Sequence, residues 1–272
     1  MKTIVVKIGG SIFGNHDTTL EDLVVLQKRG VSSVVVHGGA QEVSGWLSRL
    51  GIPTSFVDGS RVTDVESLKV VAAVLGGLVN KELVVAIQAL GGRAIGLSGS
   101  DGNLLWASIK KPEMGYVGEI VAVDSEPLIL LLEAGYIPVV APLSSGSVEG
   151  KTMLLNVNGD VVAGEIAAAL AAEKLVFLTD VNGIYDKAGK VIPKLDVTEA
   201  RNLIVSGIAS RGMIPKLESS IRALTTVPVA HIIDGRIPNA LLNVVAVSNE
   251  IPRLSSEQTP QSRFGGTTIV ST

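Results

Sequence analysis

The chain has 272 residues, a formal net charge of −3, 46% hydrophobic and 18% charged residues, and no cysteine. That length can bury a large core as one α/β unit or two lobes, and the balance excludes a disordered chain. Disulfides, thiolate metal sites and a cysteine nucleophile are excluded, and the slight acidic excess with 3% aromatics argues against a nucleic-acid surface.

The first run, residues 3–8, is aliphatic and ends in Lys7-Ile8-Gly9-Gly10-Ser11, which fits neither a Walker A loop nor a G-x-G-x-x-G fingerprint. Lys7 also interrupts the only N-terminal stretch that could serve a signal peptide. Every apolar run meets a charge, proline or glycine before bilayer length, so a cytoplasmic chain with no membrane association is expected. Further strands are predicted at 33–36, 93–97, 137–140, 175–178 and 229–233. Apolar residues at helical spacing predict helices at 20–29, 41–50, 65–75, 78–90, 127–133, 161–172 and 214–224. The alternation is that of βα units, so the fold class is α/β with a largely parallel central sheet. Residues 98–123 read as hairpin strands over a ligand, and residues 182–198 as a turn-rich excursion. A seam near Lys174 separates residues 1–173 from residues 174–272.

Ligands of open α/β sheets sit beyond the carboxyl ends of the strands. Four predicted strand ends are rich in glycine and small polar residues: Gly9-Gly10-Ser11, His37-Gly38-Gly39-Ala40, Ser98-Gly99-Ser100-Asp101-Gly102 and Thr179-Asp180-Val181-Asn182-Gly183. Taken singly they are ordinary βα turns; together they point to an anion held by backbone N–H groups and helix N-termini. Lys7, at the end of a buried strand, must either snorkel to water or meet an anion. His16, His37 and His231 match no metal-ligand spacing, and no protein metal site is expected.

These segments, with Gly59-Ser60-Arg61-Val62-Thr63, Asn80-Lys81, Gly96-Leu97-Ser98-Gly99, Asn156-Val157-Asn158-Gly159-Asp160, Leu178 to Ile184, Gly212-Met213-Ile214-Pro215-Lys216 and Gly265-Gly266-Thr267-Thr268, resemble the amino-acid kinase family over essentially the whole chain. The resemblance implies a three-layer αβα sandwich, with residues 1–173 binding the amino acid and mediating dimerisation, and residues 174–272 binding ATP. Ala40 departs from the family pattern, where a third glycine is expected.

The implied reaction is attack by the γ-carboxylate of N-acetyl-L-glutamate on the γ-phosphoryl of ATP, in arginine biosynthesis. An ionised carboxylate needs no general base; what the reaction needs is positive charge around the phosphoryl group. The resemblance places Lys7, Gly9 and Gly10 on that group, Lys216 on the phosphoryl and its leaving side, and Asp160 between the two lysines. Arg61, Asn156 and the N–H groups of Gly38 and Gly39 are implied to bind the acceptor. Asp180, Val181, Asn182, Gly183, Ile184, Tyr185, Ile208, Ala209, Ser210 and Met213 are implied to bind nucleotide, with Mg2+ arriving on ATP.

Each residue also has a plainer use. Lys216 and Arg61 suit solvated positions, Asn156 a turn or cap, Asp160 the first turn of a helix, and His37 a satisfied strand end. Two other readings stay open: a kinase for carrier-bound α-aminoadipate or glutamate, and a non-catalytic metabolite-binding regulator. Arginine-inhibited members of the family carry an N-terminal helix that ties dimers into a hexamer; as the first strand here begins almost at residue 1, the resemblance implies a homodimer insensitive to arginine, with residues 68–78 as a candidate interface.

Overall fold

The computed structural model describes residues 2–9, 18–57, 60–209, 212–246 and 265–271. Gly10 and Ser210, named above as nucleotide contacts, lie outside them, as does Gly59.

The chain runs β1 (Thr3–Ile8), α1 (Thr19–Lys28), β2 (Ser32–His37), α2 (Ala40–Arg49), the short pair β3 (Phe56–Val57) and β4 (Ser60–Arg61), then α3 (Val65–Ala72), a π-helical stretch (Ala73–Val79) and α4 (Asn80–Ala89). It continues through β5 (Ala94–Ser98), β6 (Leu105–Ile109), β7 (Gly118–Val123), α5 (Glu126–Glu133), β8 (Ile137–Ala141), β9 (Leu143–Val148), β10 (Lys151–Asn156) and α6 (Gly159–Ala169). The remainder is β11 (Lys174–Thr179), β12 (Lys194–Asp196), α7 (Val197–Val205), α8 (Ile214–Ala223), β13 (Val229–Asp234), α9 (Ala240–Ala246) and β14 (Thr267–Val270).

Eight strands form one sheet in the order β12-β14-β13-β11-β1-β2-β8-β5, parallel except where β13 meets β14. β1 lies between β2 and β11, so the chain leaves it in both directions and the crevice at its carboxyl end is a topological switch point. The strand period of two sorts β1 cleanly. Ile4, Val6 and Ile8 enter the core layer with α1, α2, α4 and α9, whereas Val5 enters the opposite layer with α6 and α8. Lys7 therefore shares the α6 face of the sheet with Val5. On that side α6 and α8 approach closely at Gly164, where a Cβ would lie 2.9 Å from Ser219.

Most predicted elements are present, with four differences. Residues 65–75 and 78–90 are not separate helices. The π-helical turn carries the chain through Gly76-Gly77, so that 65–89 is continuous. β9 and β10 were not foreseen; with β6 and β7 they make a four-stranded sheet, and their sequence has little apolar alternation to announce them. α7 was missed although its capping box, Asp196 with Glu199, is written in the sequence. β12, β14 and α9 are short elements completed by pairing and packing.

The helical run 65–89 is, by length and composition, apolar enough to cross a membrane. Its packing is that of a core helix: Leu68, Val71, Val74, Leu75, Val79, Leu83 and Ile87 are buried. Lys81 Nζ reaches Gly96 O on the central sheet at 3.0 Å. Within the expected interface at 68–78, Leu68, Val71, Val74 and Leu75 pack into the protomer's own core. Leu78, 38% exposed, is the outward exception.

Candidate active site

The motif from Asn156 to Asp160 shows why these residue types stand in this order. Asn156 ends β10, and Val157 enters the core and donates its N–H to Pro142 O at 3.1 Å. Asn158 caps α6, accepting from the N–H of Asp160 at 2.8 Å. Gly159 passes close to the carbonyl of His37, where a Cβ would make a tight 3.3 Å contact with the oxygen. Asp160 is thereby held in the first turn of α6, facing β1.

Its carboxylate is a bridge. Oδ1 lies 2.8 Å from Lys7 Nζ and Oδ2 3.1 Å from Lys216 Nζ, with all three side chains at most 12% exposed. Lys216, in the first turn of α8, also reaches Gly212 O at 3.4 Å. Burial alone would raise the pKa of Asp160, but the two ammonium groups outweigh it and hold the carboxyl below its ordinary range. Lys7 therefore meets an anion of the protein's own, rather than snorkelling to water.

Lys7, Gly38, Gly39, Arg61, Asn156 and Asp160 converge on one cleft of about 190 Å³, walled on its apolar side by Val43, Phe56, Val71, Leu75 and Val117. Arg61, 7% exposed, donates through Nη2 to Ser44 Oγ at 2.7 Å and Ala40 O at 3.1 Å; its guanidinium lies 4.7 Å from the centre of the Phe56 ring. Nη1 is buried without a hydrogen-bond partner. A buried guanidinium with one arm tied and one unpaired is suited to a carboxylate ligand. Asn156 Nδ2 donates to Thr63 Oγ1 at 3.0 Å.

Two expected N–H contacts are already engaged. Gly38 donates to Ile8 O at 2.9 Å and Gly9 to Leu178 O at 3.2 Å, because both residues continue the parallel ladder. The N–H groups of Gly39, at the N-cap of α2, and of Ala40 have no acceptor within the helix. Gly39 has φ +146°, and a Cβ there would lie 2.6 Å from Leu75, so glycine is required. Ala40 is the first helical residue, where a methyl group is accommodated without strain.

His37 takes the plainer reading. Gly38 O, 2.7 Å from Nδ1, can only accept, so Nδ1 carries the proton and Nε2 accepts from Asn80 Nδ2 at 3.2 Å. Burial, assisted by Lys7 and Lys81 against the bond to Gly38, lowers its pKa to about 4. His231 is pushed down to about 3, by burial and then Lys174. Between pH 6.5 and 4 the unfolded chain binds protons at these histidines that the folded chain refuses. The histidines' contribution to stability is thus complete above pH 6.5 and is lost as pH falls toward 4 for His37 and toward 3 for His231, by several kcal/mol when both transitions are complete. Urea midpoints measured from pH 7 to 4.5 should fall steadily; a flat profile counts against neutral, buried histidines.

The residues expected at the nucleotide do not line this cleft. Asp180, Val181, Asn182, Gly183, Ile184 and Tyr185 follow β11, whose Leu178 lies beside Ile8 of β1. Ile184 donates its N–H to Thr267 Oγ1 at 2.8 Å. Ile184, Ala209 and Met213 are buried in the α6 and α8 core and Ile208 is half-buried, so a ligand would reach the three buried residues chiefly through backbone. Asp180 and Tyr185 are exposed and lie near the guanidinium of Arg236, which is paired bidentately with Asp234 at 2.9 and 2.7 Å.

Sequence reasoning passed over Asn158, Ser44, Phe56, Thr63 and Arg236. The capping role of Asn158 was legible from N-x-D at a helix start. The Arg236 pair with Asp234 is local, two positions apart, whereas Ser44 meets Arg61 from 17 positions away and Thr63 meets Asn156 from 93, so those contacts have no local signature.

The family model described as the amino acid kinase family matches residues 2–234. The chain belongs to the amino acid kinase family. Among members similar to it, acetylglutamate kinase of Dehalococcoides mccartyi strain CBDB1 is 45% identical over 249 residues, covering 90% of this chain and 92% of that one. Acetylglutamate kinase of Nostoc sp. strain PCC 7120 is 48% identical over 249 residues, covering 89% and 83%. Among solved structures, N-acetylglutamate synthase from Neisseria gonorrhoeae, complexed with coenzyme A and N-acetyl-glutamate, superimposes with a TM-score of 0.78. It is 27% identical, over 99% of this chain and 59% of that one. This amino acid kinase thus shares its fold with a protein named for a different reaction, so the site residues have to carry the functional argument.

Proposed function

We propose that the chain phosphorylates the γ-carboxylate of N-acetyl-L-glutamate with ATP, giving an acyl phosphate in arginine biosynthesis. The observation that carries this reading is the Lys7–Asp160–Lys216 bridge at the edge of a cleft that also holds Arg61 and Asn156. Ligand binding alone has no need of two buried ammonium groups aligned by one carboxylate. Phosphoryl transfer does, because negative charge spreads over the oxygens of a group in flight.

Arg61 binds the α-carboxylate through its unpaired Nη1, and Asn156 meets the acetamido group. Gly39, with Ala40, offers N–H groups at the start of α2. Lys7 lies on the transferring phosphoryl and Lys216 on that group and its leaving side, while Asp160 holds both in place. Every residue lining the cleft falls before position 174, which supports an acceptor lobe at 1–173 and a nucleotide lobe at 174–272. In the second lobe, nucleotide contacts come from Asp180 to Tyr185, Ile208, Ala209 and Met213. Mg2+ would arrive with ATP, its phosphates and water supplying most of the ligands, while both oxygens of Asp160 are engaged by lysines.

The enzyme works in the cytoplasm as a homodimer. The outward apolar side chains of the 65–89 helix, Val65, Leu78 and Val85, support a partner surface there, and light scattering tests the dimer.

The deciding experiment traps acyl phosphate with hydroxylamine, comparing N-acetylglutamate, glutamate and N-acetylated α-aminoadipate in the presence of ATP. Preference for N-acetylglutamate is expected. Silence on all three overturns the reading in favour of a carrier-bound acceptor or a regulator.

A further inference from the structure

Thr63 does not itself line the cleft and is fully buried, yet its hydroxyl joins the backbone of Arg61 to the side chain of Asn156, the two residues proposed to recognise the acceptor. Its hydroxyl lies 3.0 Å from Arg61 O and 3.0 Å from Asn156 Nδ2. The backbone around it is clamped. Thr63 N donates to Met114 O at 3.0 Å, Tyr116 N donates to Thr63 O at 2.7 Å, and Asn156 N donates to Tyr116 O at 2.9 Å. Gly115, between these partners, has φ +68°, and a Cβ there would lie 2.3 Å from Thr63 O. The hydroxyl is therefore fixed in space by the 114–116 turn.

A hydroxyl has one proton. A carbonyl oxygen can only accept, so the Thr63 proton goes to Arg61 O and its lone pair faces Asn156. That arrangement accepts the amide NH2 and turns the amide oxygen the other way. We propose that Thr63 is a positioning residue that sets the orientation of the Asn156 amide, so that the cleft presents Oδ1, an acceptor, to the N–H of an N-acylated amino acid. This rests on the acceptor reading above and deepens it. Thr63 makes the site select an amide N–H, as distinct from merely enclosing an acetyl group of the right size. A cleft built around such a bond discriminates against an isostere lacking the N–H, because the buried acceptor is then left unpaired.

The test uses the whole chain with two acceptors of the same shape, N-acetylglutamate and its ester analogue 2-acetoxyglutarate, which has oxygen in place of the amide N–H. The wild type is expected to prefer the amide by about tenfold or more in kcat/KM. Thr63→Val removes the hydroxyl at constant shape. It should raise KM for N-acetylglutamate about tenfold, leave KM for ATP unchanged and kcat within about threefold, and bring the amide-to-ester preference close to one. Thr63→Ser should restore both KM and preference. If Thr63→Val does not fold, Thr63→Ala against Thr63→Ser reads the same split.

A hydroxyl-less variant that keeps the wild-type KM and preference overturns the inference alone, as does a wild type indifferent to the N–H. Failure of Thr63→Ser to restore preference also overturns it, because a loss that ignores the hydroxyl is a packing effect. A wild type that does not phosphorylate N-acetylglutamate overturns the functional reading, and this inference with it.

Discussion

Replacing Lys7 with alanine should lower kcat by about 10²- to 10³-fold, the usual loss when one preorganised donor to a developing charge is removed. The effect should fall on kcat more than on the KM of either substrate, since the interaction strengthens as charge moves onto the transferring group. The fold should survive, because Asp160 keeps Lys216 as partner and the apolar neighbours of Lys7 on β1 are untouched. Initial rates of ADP formation with saturating N-acetylglutamate and ATP, alongside the unfolding midpoint, check this. A folded Lys7→Ala protein with wild-type kcat removes Lys7 from the mechanism and the strongest argument for a kinase with it.

Asp160→Asn should damage stability and activity together. The asparagine keeps the shape but withdraws the charge that compensates two buried ammonium groups at 2.8 and 3.1 Å, leaving like charges confined in the same pocket. Breaking a buried ion pair in this way costs about 3–5 kcal/mol. The lysines should then move apart or lose protons, and kcat should fall by about 10²-fold or more as the positioned charge is lost. Urea unfolding and steady-state rates on the same preparation give both readouts. Because the native carboxyl titrates below its ordinary value, its contribution is present at neutral pH and is lost only as pH falls through the acid range. The stability difference between wild type and Asp160→Asn should therefore shrink toward low pH. A variant as stable and as active as the wild type would show that the bridge is incidental.

The contrast between these residues and Thr63 shows what kind of information a linear sequence holds. The strand that carries Lys7, the glycines after β2 and the N-x-N-G-D run that opens α6 obey local rules. Apolar period, cap preference and the need for a residue without Cβ act over a few neighbouring positions, so they can be read in order along the chain. Those rules determined the α/β class, most of the helices and strands of the central sheet, and the expectation that its carboxyl edge holds the site. They also put Lys7 on the same face of β1 as Val5 through the period of two, while the covering of that face by α6 comes from packing.

Tertiary structure decided the rest. Asp160 and Lys216 are 56 positions apart and meet because Gly164 lets α6 and α8 approach. The N–H groups of Gly9 and Gly38 were expected to face an anion, yet the parallel ladder claims both. The apolar character of residues 68–78 is plain in sequence, but which of these side chains enter the core and which, like Leu78, face outward follows from packing. The orientation of Asn156 depends on a hydroxyl 93 positions away, held by a turn that belongs to neither segment. Hydrogen bonds and ion pairs of this kind form between side chains that only the folded backbone brings within 3 Å. Local propensities, which act over one or two turns of chain, contain no record of them.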